Sequence, residues 1–251
     1  MTQTATPVQL ERPTLEAFEA YIRDAEAAME ETASGGQFLW SDASKERYEP
    51  IRQGKVVAEF CSGRGPVRVP KGLIHDWVGG VLVPGSTIDE VLRLVQDYNN
   101  HKSIYAPEVI ASRLISHGGN DFQIYLRLFK KKIIAVILDT DHEVHYRCLD
   151  RSRWVCQSHT TRIAEVENAG TPKENVLPPD TGHGFLWRLY SYWRFQERDG
   201  GVYTECRAVS LTRDVPLGLG WIIEPIIQKL PRESLIHTLE ATRQALRGAA
   251  T

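Results

Sequence analysis

Three places in this 251-residue chain gather side chains that could do chemistry. The run DTDHEVH, residues 139–145, puts Asp139, Asp141, Glu143 and His145 on one face if it is a strand, because strand side chains alternate. Such a set could gather a metal ion. Same-side strand residues fan apart along the sheet, however, so the run reads as a solvated acidic face and no metal site is expected. His142 and His145 fall on opposite faces and do not share a ligand. A second group, Arg127, Arg194 and Arg207 with Glu205, forms an ion-pair row on the solvent side of a sheet, or an anchor for a ligand carboxylate if the faces are reversed. In the second case a buried arginine needs a partner, and Glu205 is the natural one. The third place is GLIHDWVGG, where His75 reads as a hydrogen-bonded structural histidine beside Trp77. His159 and Tyr125 add polar groups without an identifiable partner. No G-x-G-x-x-G, G-x-S-x-G or G-x-x-x-x-G-K-[ST] spacing occurs, so no catalytic residue is assigned and no cofactor is expected.

The elements that position these groups show most clearly in GFLWRLYSYWRFQERDGGVYTECRAVSLTRDVP, residues 184–216. It reads as two strands joined through Asp199, Gly200 and Gly201. On the first, alternation places Phe185, Trp187, Leu189, Ser191, Trp193 and Phe195 on one side and Leu186, Arg188, Tyr190, Tyr192 and Arg194 on the other. We take the first set as inward, opposite Thr204, Cys206, Ala208 and Ser210 of the next strand. Small residues beside large aromatics leave a hollow, unless the aromatics simply fill the core. The alternative puts Tyr203, Glu205, Arg207 and Val209 inside. The inward assignment expects Trp187, Leu189, Trp193, Cys206 and Ala208 to be buried and Arg188 and Arg207 to be accessible.

Composition is ordinary for a globular chain, with 42% hydrophobic and 25% charged residues. Its 30 basic and 32 acidic residues nearly balance, which gives no reason to expect nucleic acid or an anionic membrane surface as a partner. Four cysteines without a C-x-x-C pair read as buried free thiols. The N-terminus lacks a basic region followed by an apolar one, and no stretch approaches 18 apolar residues, so the expected location is cytoplasmic, without an integral membrane segment.

Residues 14–31 carry Leu15, Phe18, Ile22, Ala25 and Met29 on one helical face, with Pro13 and Thr14 as a start signal. Residues 32–50 lose periodicity and read as a connection, and GKVVAEFCSG as a short strand. A strand over 72–83 stops at Pro84 and Gly85, and STIDEVLRLVQDYNN opens a helix with a Ser86 or Thr87 cap. About six strands follow, antiparallel because short turns join neighbours. The proline-containing stretch 167–183 interrupts them as a long loop. The C-terminal region is helical, with Pro225 and Pro231 expected in the first turns of two successive helices. Its apolar residues fall on one face at Leu219, Ile222, Ile223, Ile226, Ile227 and Leu230, and on another at Leu235, Leu239, Thr242 and Leu246.

This order resembles the helix-grip architecture of the START-like (SRPBCC) superfamily, which includes lipid-transfer domains and polyketide cyclases. VPGSTIDEVLRLVQDYNNHKSIYAPEV is similar to that superfamily's first strand end, helix and second strand entry, and LPRESLIHTLEATRQAL to its terminal helix. GFLWRLYSYWRF with GVYTECRAVSLTRD looks like an uncharacterised bacterial branch. The resemblance implies an α+β fold: a curved antiparallel sheet wrapped around a long C-terminal helix over residues 70–251, with an N-terminal extension over 1–69 carrying one helix. It further implies a cavity between sheet and helix for a lipid, isoprenoid or polyketide-like molecule. Trp77, Trp187, Leu189, Ser191, Trp193, Cys206, Ala208, Ser210 and Trp221 are the candidate lining. A cyclase or dehydratase on the same fold, or a protein-interaction domain with a filled core, are the alternatives.

Overall fold

The computed structural model describes residues 7–34, 36–61, 63–131, 135–214 and 220–248. Along the chain lie β1 (Val8–Gln9), α1 (Arg12–Ser34), a 3-10 turn (Trp40–Ala43), α2 (Lys45–Arg52), β2 (Val57–Phe60), β3 (Val67–Val69) and β4 (Gly72–Pro84). Next come α3 (Ile88–Val95), α4 (His101–Ile104), β5 (Val109–Gly118), β6 (Asp121–Lys131), β7 (Ala135–Cys148) and β8 (Arg153–Glu167). The chain continues through β9 (Asn175–Val176), β10 (Thr181–Gly182), β11 (Arg188–Arg198), β12 (Gly201–Arg213) and α5 (Gly220–Gly248). The main sheet runs β2-β4-β12-β11-β8-β7-β6-β5, with β3 also on β4 and β9 on β8. Its pairings are antiparallel.

Helix α5 lies on one face of this sheet, against β4, β12 and β2. Leu235, Leu239, Thr242 and Leu246 are buried there, as their spacing predicts. Gly79 permits the approach, since a Cβ at this position would stand 2.8 Å from the Val57 carbonyl and 3.2 Å from Leu239 Cδ1. The two successive helices expected around Pro225 and Pro231 are one continuous helix. The proline at 231 removes one backbone donor, and packing of the following turns on the sheet outweighs that cost of about 3 kcal/mol. The side chains of residues 220–228, among them Ile222, Ile223, Ile226, Ile227 and Trp221, lie outside the described residues, as does Leu219.

The opposite face is covered too. Phe18 and Ile22 of α1 pack with Ile74, Trp187, Tyr192, Val209 and Leu211. Phe38, Leu39 and Ile51 pack with Leu82 and Tyr203. Residues expected to form a connection thus build a turn and α2, and β2 and β3 extend the sheet ahead of residue 70. The result is three layers: α5, sheet, N-terminal segment. This explains why β4 is buried from Gly72 to Val83 on both faces and reads as a nearly continuous apolar run.

Helix α3 opens with the expected capping box, in which Thr87 and Glu90 satisfy each other's backbone donors. Strand β5, at the sheet edge, carries two register irregularities. All four cysteines are free, but only Cys156 and Cys206 are buried; Cys61 and Cys148 are exposed, because they lie just past a strand end and at one. Among the described residues no helix is long and apolar enough to cross a membrane.

Candidate functional site

The register of five central strands builds the floor beneath α5. One cross-strand row reads His75, Ser210, Leu189, Thr160, His142. The next reads Trp77, Ala208, Ser191, Ser158, Val144, and the third Gly79, Cys206, Trp193, Cys156, Tyr146. In the second row small side chains, Ala208, Ser191 and Ser158, lie between Trp77 and Val144. Trp77 packs on Phe60 at one rim, with ring centroids 3.7 Å apart. At the other, Tyr146 packs edge-on against Phe122, and its hydroxyl lies 3.0 Å from that of Tyr98. Leu126, Ser158, Leu189, Ser191, Trp193 and Ala208 remain half-buried although they sit in the body of the sheet on its helix side. A packed core would bury such residues fully.

Of the candidate lining, Trp77, Leu189, Ser191, Trp193, Cys206, Ala208 and Ser210 share this helix-side face. Trp187 does not. It precedes the first residue of β11, and its ring joins Phe18 and Ile22 under α1. The Trp221 side chain lies outside the described residues. Tyr203, Glu205, Arg207 and Val209 face the N-terminal layer, which rejects the reversed pleat.

That layer changes the reading of the arginines. Arg207 and Arg188 are not accessible side chains on a solvated face: they keep only 15% and 17% side-chain exposure. Arg207 makes a two-pronged pair with Asp76, at 2.9 and 2.5 Å, and Tyr21 of α1 donates to the same carboxylate at 2.6 Å. Glu205, 3% exposed, accepts from the backbone N–H groups of Trp40 and Ser41 at 2.7 and 2.9 Å. Burial nevertheless raises its pKa. Arg194 donates to the carbonyls of Phe38 and Met29. The expected ion-pair row does not form, since none of the arginines makes a salt bridge with Glu205 among the described residues: Arg194, Arg207 and Glu205 are covered because they seat the N-terminal segment, and Arg127 pairs instead with Asp139 and Glu174.

The acidic run behaves differently along its length. Asp139 is buried and accepts from Arg127 and Tyr125, whereas Glu143 and His145 are exposed, the latter against Asp121. Among the described residues no three potential ligands gather into a metal site. Tyr125 and His159 both point to the N-terminal side of the sheet, away from the floor; His159 stacks on Tyr190 beneath α1. His75 is fully buried, with Nε2 3.1 Å from the Thr212 hydroxyl, and burial lowers its pKa to about 4. A surface cleft of about 320 Å³ between Asp42, Ser44, Lys45, Tyr48, Arg198 and Asp199 is separate from the floor. Arg198 is paired with Asp42 there, and Asp199 accepts from the Tyr48 hydroxyl.

The long loop after β8 closes one end of the floor, where Leu186 joins the cluster of Leu189, Leu138 and Ile163. It is tied by Glu165, which is 5% exposed and accepts from the backbone N–H groups of His183 and Gly184 at 2.8 and 3.0 Å and from that of Phe185 at 3.4 Å. Gly182 and Gly184 have φ of 136° and 76°, and a Cβ at Gly182 would stand 2.6 Å from the Glu165 carboxyl carbon. Glu165→Ala strands these donors, so a loss of about 1–3 kcal/mol is expected in urea denaturation. Faster proteolytic cleavage within 168–187 should accompany it; unchanged stability and cleavage would show that the loop is held elsewhere.

His142, Thr140, Ser158 and Thr160 were not among the expected lining. Period-two reading of WVCQSHTT was the available signal: it places Cys156, Ser158 and Thr160 on one face. Counted from the β7–β8 turn, His142 and Val144 pair with Thr160 and Ser158 in regular register, and the irregularity between Asp141 and His142 offsets only Thr140 beyond them.

These features define the fold as a START-like helix grip: one antiparallel sheet holding a C-terminal helix, with the strand, helices and strand β4-α3-α4-β5 at its entry. No family model matches the chain, and no curated protein matches it. Among solved structures it is similar to a STAR-related lipid transfer protein from Xanthomonas axonopodis, at 17% identity and a TM-score of 0.48 over 72% of this chain and 97% of that one. It is also similar to the ZhuI aromatase/cyclase from Streptomyces sp. R1128, at 10% identity and 0.49 over 71% and 96%. A START superfamily protein from Mycobacterium smegmatis follows at 10% and 0.46, over 70% and 98%.

Proposed function

We propose that the protein binds a small hydrophobic molecule between the sheet and α5, on the floor centred at Ala208, Ser191 and Ser158. The observation that carries this reading is the half-buried state of Leu126, Leu189, Trp193 and these three residues on the helix-side face, inside a ring of buried large side chains. Apolar ligand area placed there would gain about 25 cal/mol per Å².

Ala208→Trp tests it. The added ring occupies the middle of the second row, so binding of a fluorescent fatty acid should fall at least about tenfold while the fold survives, at an overpacking cost of roughly 1–3 kcal/mol. Native mass spectrometry of freshly purified protein should show a co-purifying apolar molecule in the wild type and less of it in the variant. Undiminished binding by a folded Ala208→Trp protein would reject this floor as the site.

A further inference from the structure

The polar atoms on the floor have a definite direction of hydrogen bonding. Thr140 Oγ1 donates its only proton to the Leu126 carbonyl, at 3.0 Å. The 2.9 Å contact between His142 Nε2 and Thr140 Oγ1 must therefore be an N–H donation from the imidazole. His142 is 5% exposed, and burial, with His101 nearby, lowers its pKa to about 4, so the ring is neutral near pH 7. With Nε2 protonated, Nδ1 is an acceptor, and the Ser158 hydroxyl 3.3 Å away is its donor. Ser158 Oγ then offers only lone pairs to the hollow. Directly opposite, Ser191 pairs with Ser158 across β11 and β8, and its hydroxyl makes no hydrogen bond among the described residues. Facing residues on antiparallel strands hold their Cβ atoms about 4.5–5.5 Å apart, so one small polar group can reach both oxygens.

We infer that the bound molecule carries an alcohol or phenol hydroxyl, which donates to Ser158 and accepts from Ser191. The inference rests on the proposed floor and adds the class of ligand it selects. An ether oxygen has no proton for Ser158, and a carboxylate would set its negative charge against the Ser158 lone pairs in a neutral, half-buried site. Leu126 and Leu189 on the same face, with Trp193 one row on, receive the hydrocarbon part.

The test is isothermal titration calorimetry of the full chain with 1-decanol, its isomer 1-methoxynonane and decanoate. Wild-type protein should bind the alcohol about tenfold more tightly than the ether, the size of effect expected for one buried hydrogen bond. Decanoate should be no better than the ether. Ser158→Ala should remove the alcohol's advantage and leave the ether's affinity unchanged, whereas Ser191→Ala should weaken alcohol and ether together, since either oxygen can accept from Ser191, and leave the advantage in place. Equal binding of alcohol and ether by the wild type, or tighter binding of decanoate, overturns the hydroxyl assignment while leaving the floor intact. Binding of none of the three overturns the floor, and the hydroxyl assignment with it.

Discussion

Acidification from pH 6.5 to pH 4 is expected to remove most of the protein's stability, beginning well above the range in which its carboxylates would normally protonate. His75, His101 and His142 are 0%, 8% and 5% exposed, and burial lowers each pKa from 6.5 to about 4. A base with a depressed folded pKa contributes stability that is fully present above pH 6.5 and lost as pH falls toward 4. In that window the unfolded chain binds the extra protons, so unfolding becomes easier. Each imidazole accounts for about 3 kcal/mol by pH 4. The three together are comparable with the whole stability of an ordinary domain, about 5–15 kcal/mol. Glu205 acts in the opposite sense, since burial raises its pKa and protonation relieves a buried charge on acidification. Urea denaturation at pH 7, 5.5 and 4.5 should show the fall. His101→Gln should flatten it by roughly one third, being one of three similar groups. A stability that is flat from pH 7 to 5 would sink the expectation.

Asp76→Ala is expected to be the most damaging single substitution in the sheet, at about 3–5 kcal/mol. Asp76 is 2% exposed and receives two bonds from Arg207 and one from Tyr21. Its removal leaves a guanidinium with no counter-charge between α1 and the sheet, together with a phenol that has lost its acceptor. Desolvating a charge and leaving it unpaired costs far more than the pair itself contributes. The double variant Asp76→Leu, Arg207→Met should therefore recover most of the loss, although it removes one more polar group. Urea midpoints for the single and double variants decide the matter. If the double variant is no better than Asp76→Ala, the cost arises from packing and the ion-pair account fails.

The pleat of β11 and β12 was legible because alternation is a local property: Leu189, Ser191 and Trp193 lie on the helix side opposite Ser210, Ala208 and Cys206, as their spacing requires. The Thr87 capping box and the α1 stripe were legible for the same reason. What lay beyond reach depends on residues far apart in the chain. Nothing near Glu205 announces that its carboxylate will cap the backbone of Trp40 and Ser41, some 165 positions earlier. Without that contact the arginine row reads as a solvated surface. Trp187 escaped because the alternation was carried one residue past the start of β11. The relay through Ser158 and His142 escaped because it runs diagonally between two strands, from Ser158 opposite Val144 to His142 opposite Thr160, which alternation within either strand does not reveal.

The place of β4 in the sheet also bears on how the chain is made. Its long partner, β12, lies more than a hundred residues downstream, while β2 and β3 cover only parts of its other edge. At ribosomal rates of about 5–20 residues per second, this most apolar strand waits on the order of ten seconds with one edge unpaired and α5 not yet synthesised. Nascent chains are thus most prone to self-association in that interval, and it ends only when the hairpin from Arg188 to Arg213 emerges and zips along it.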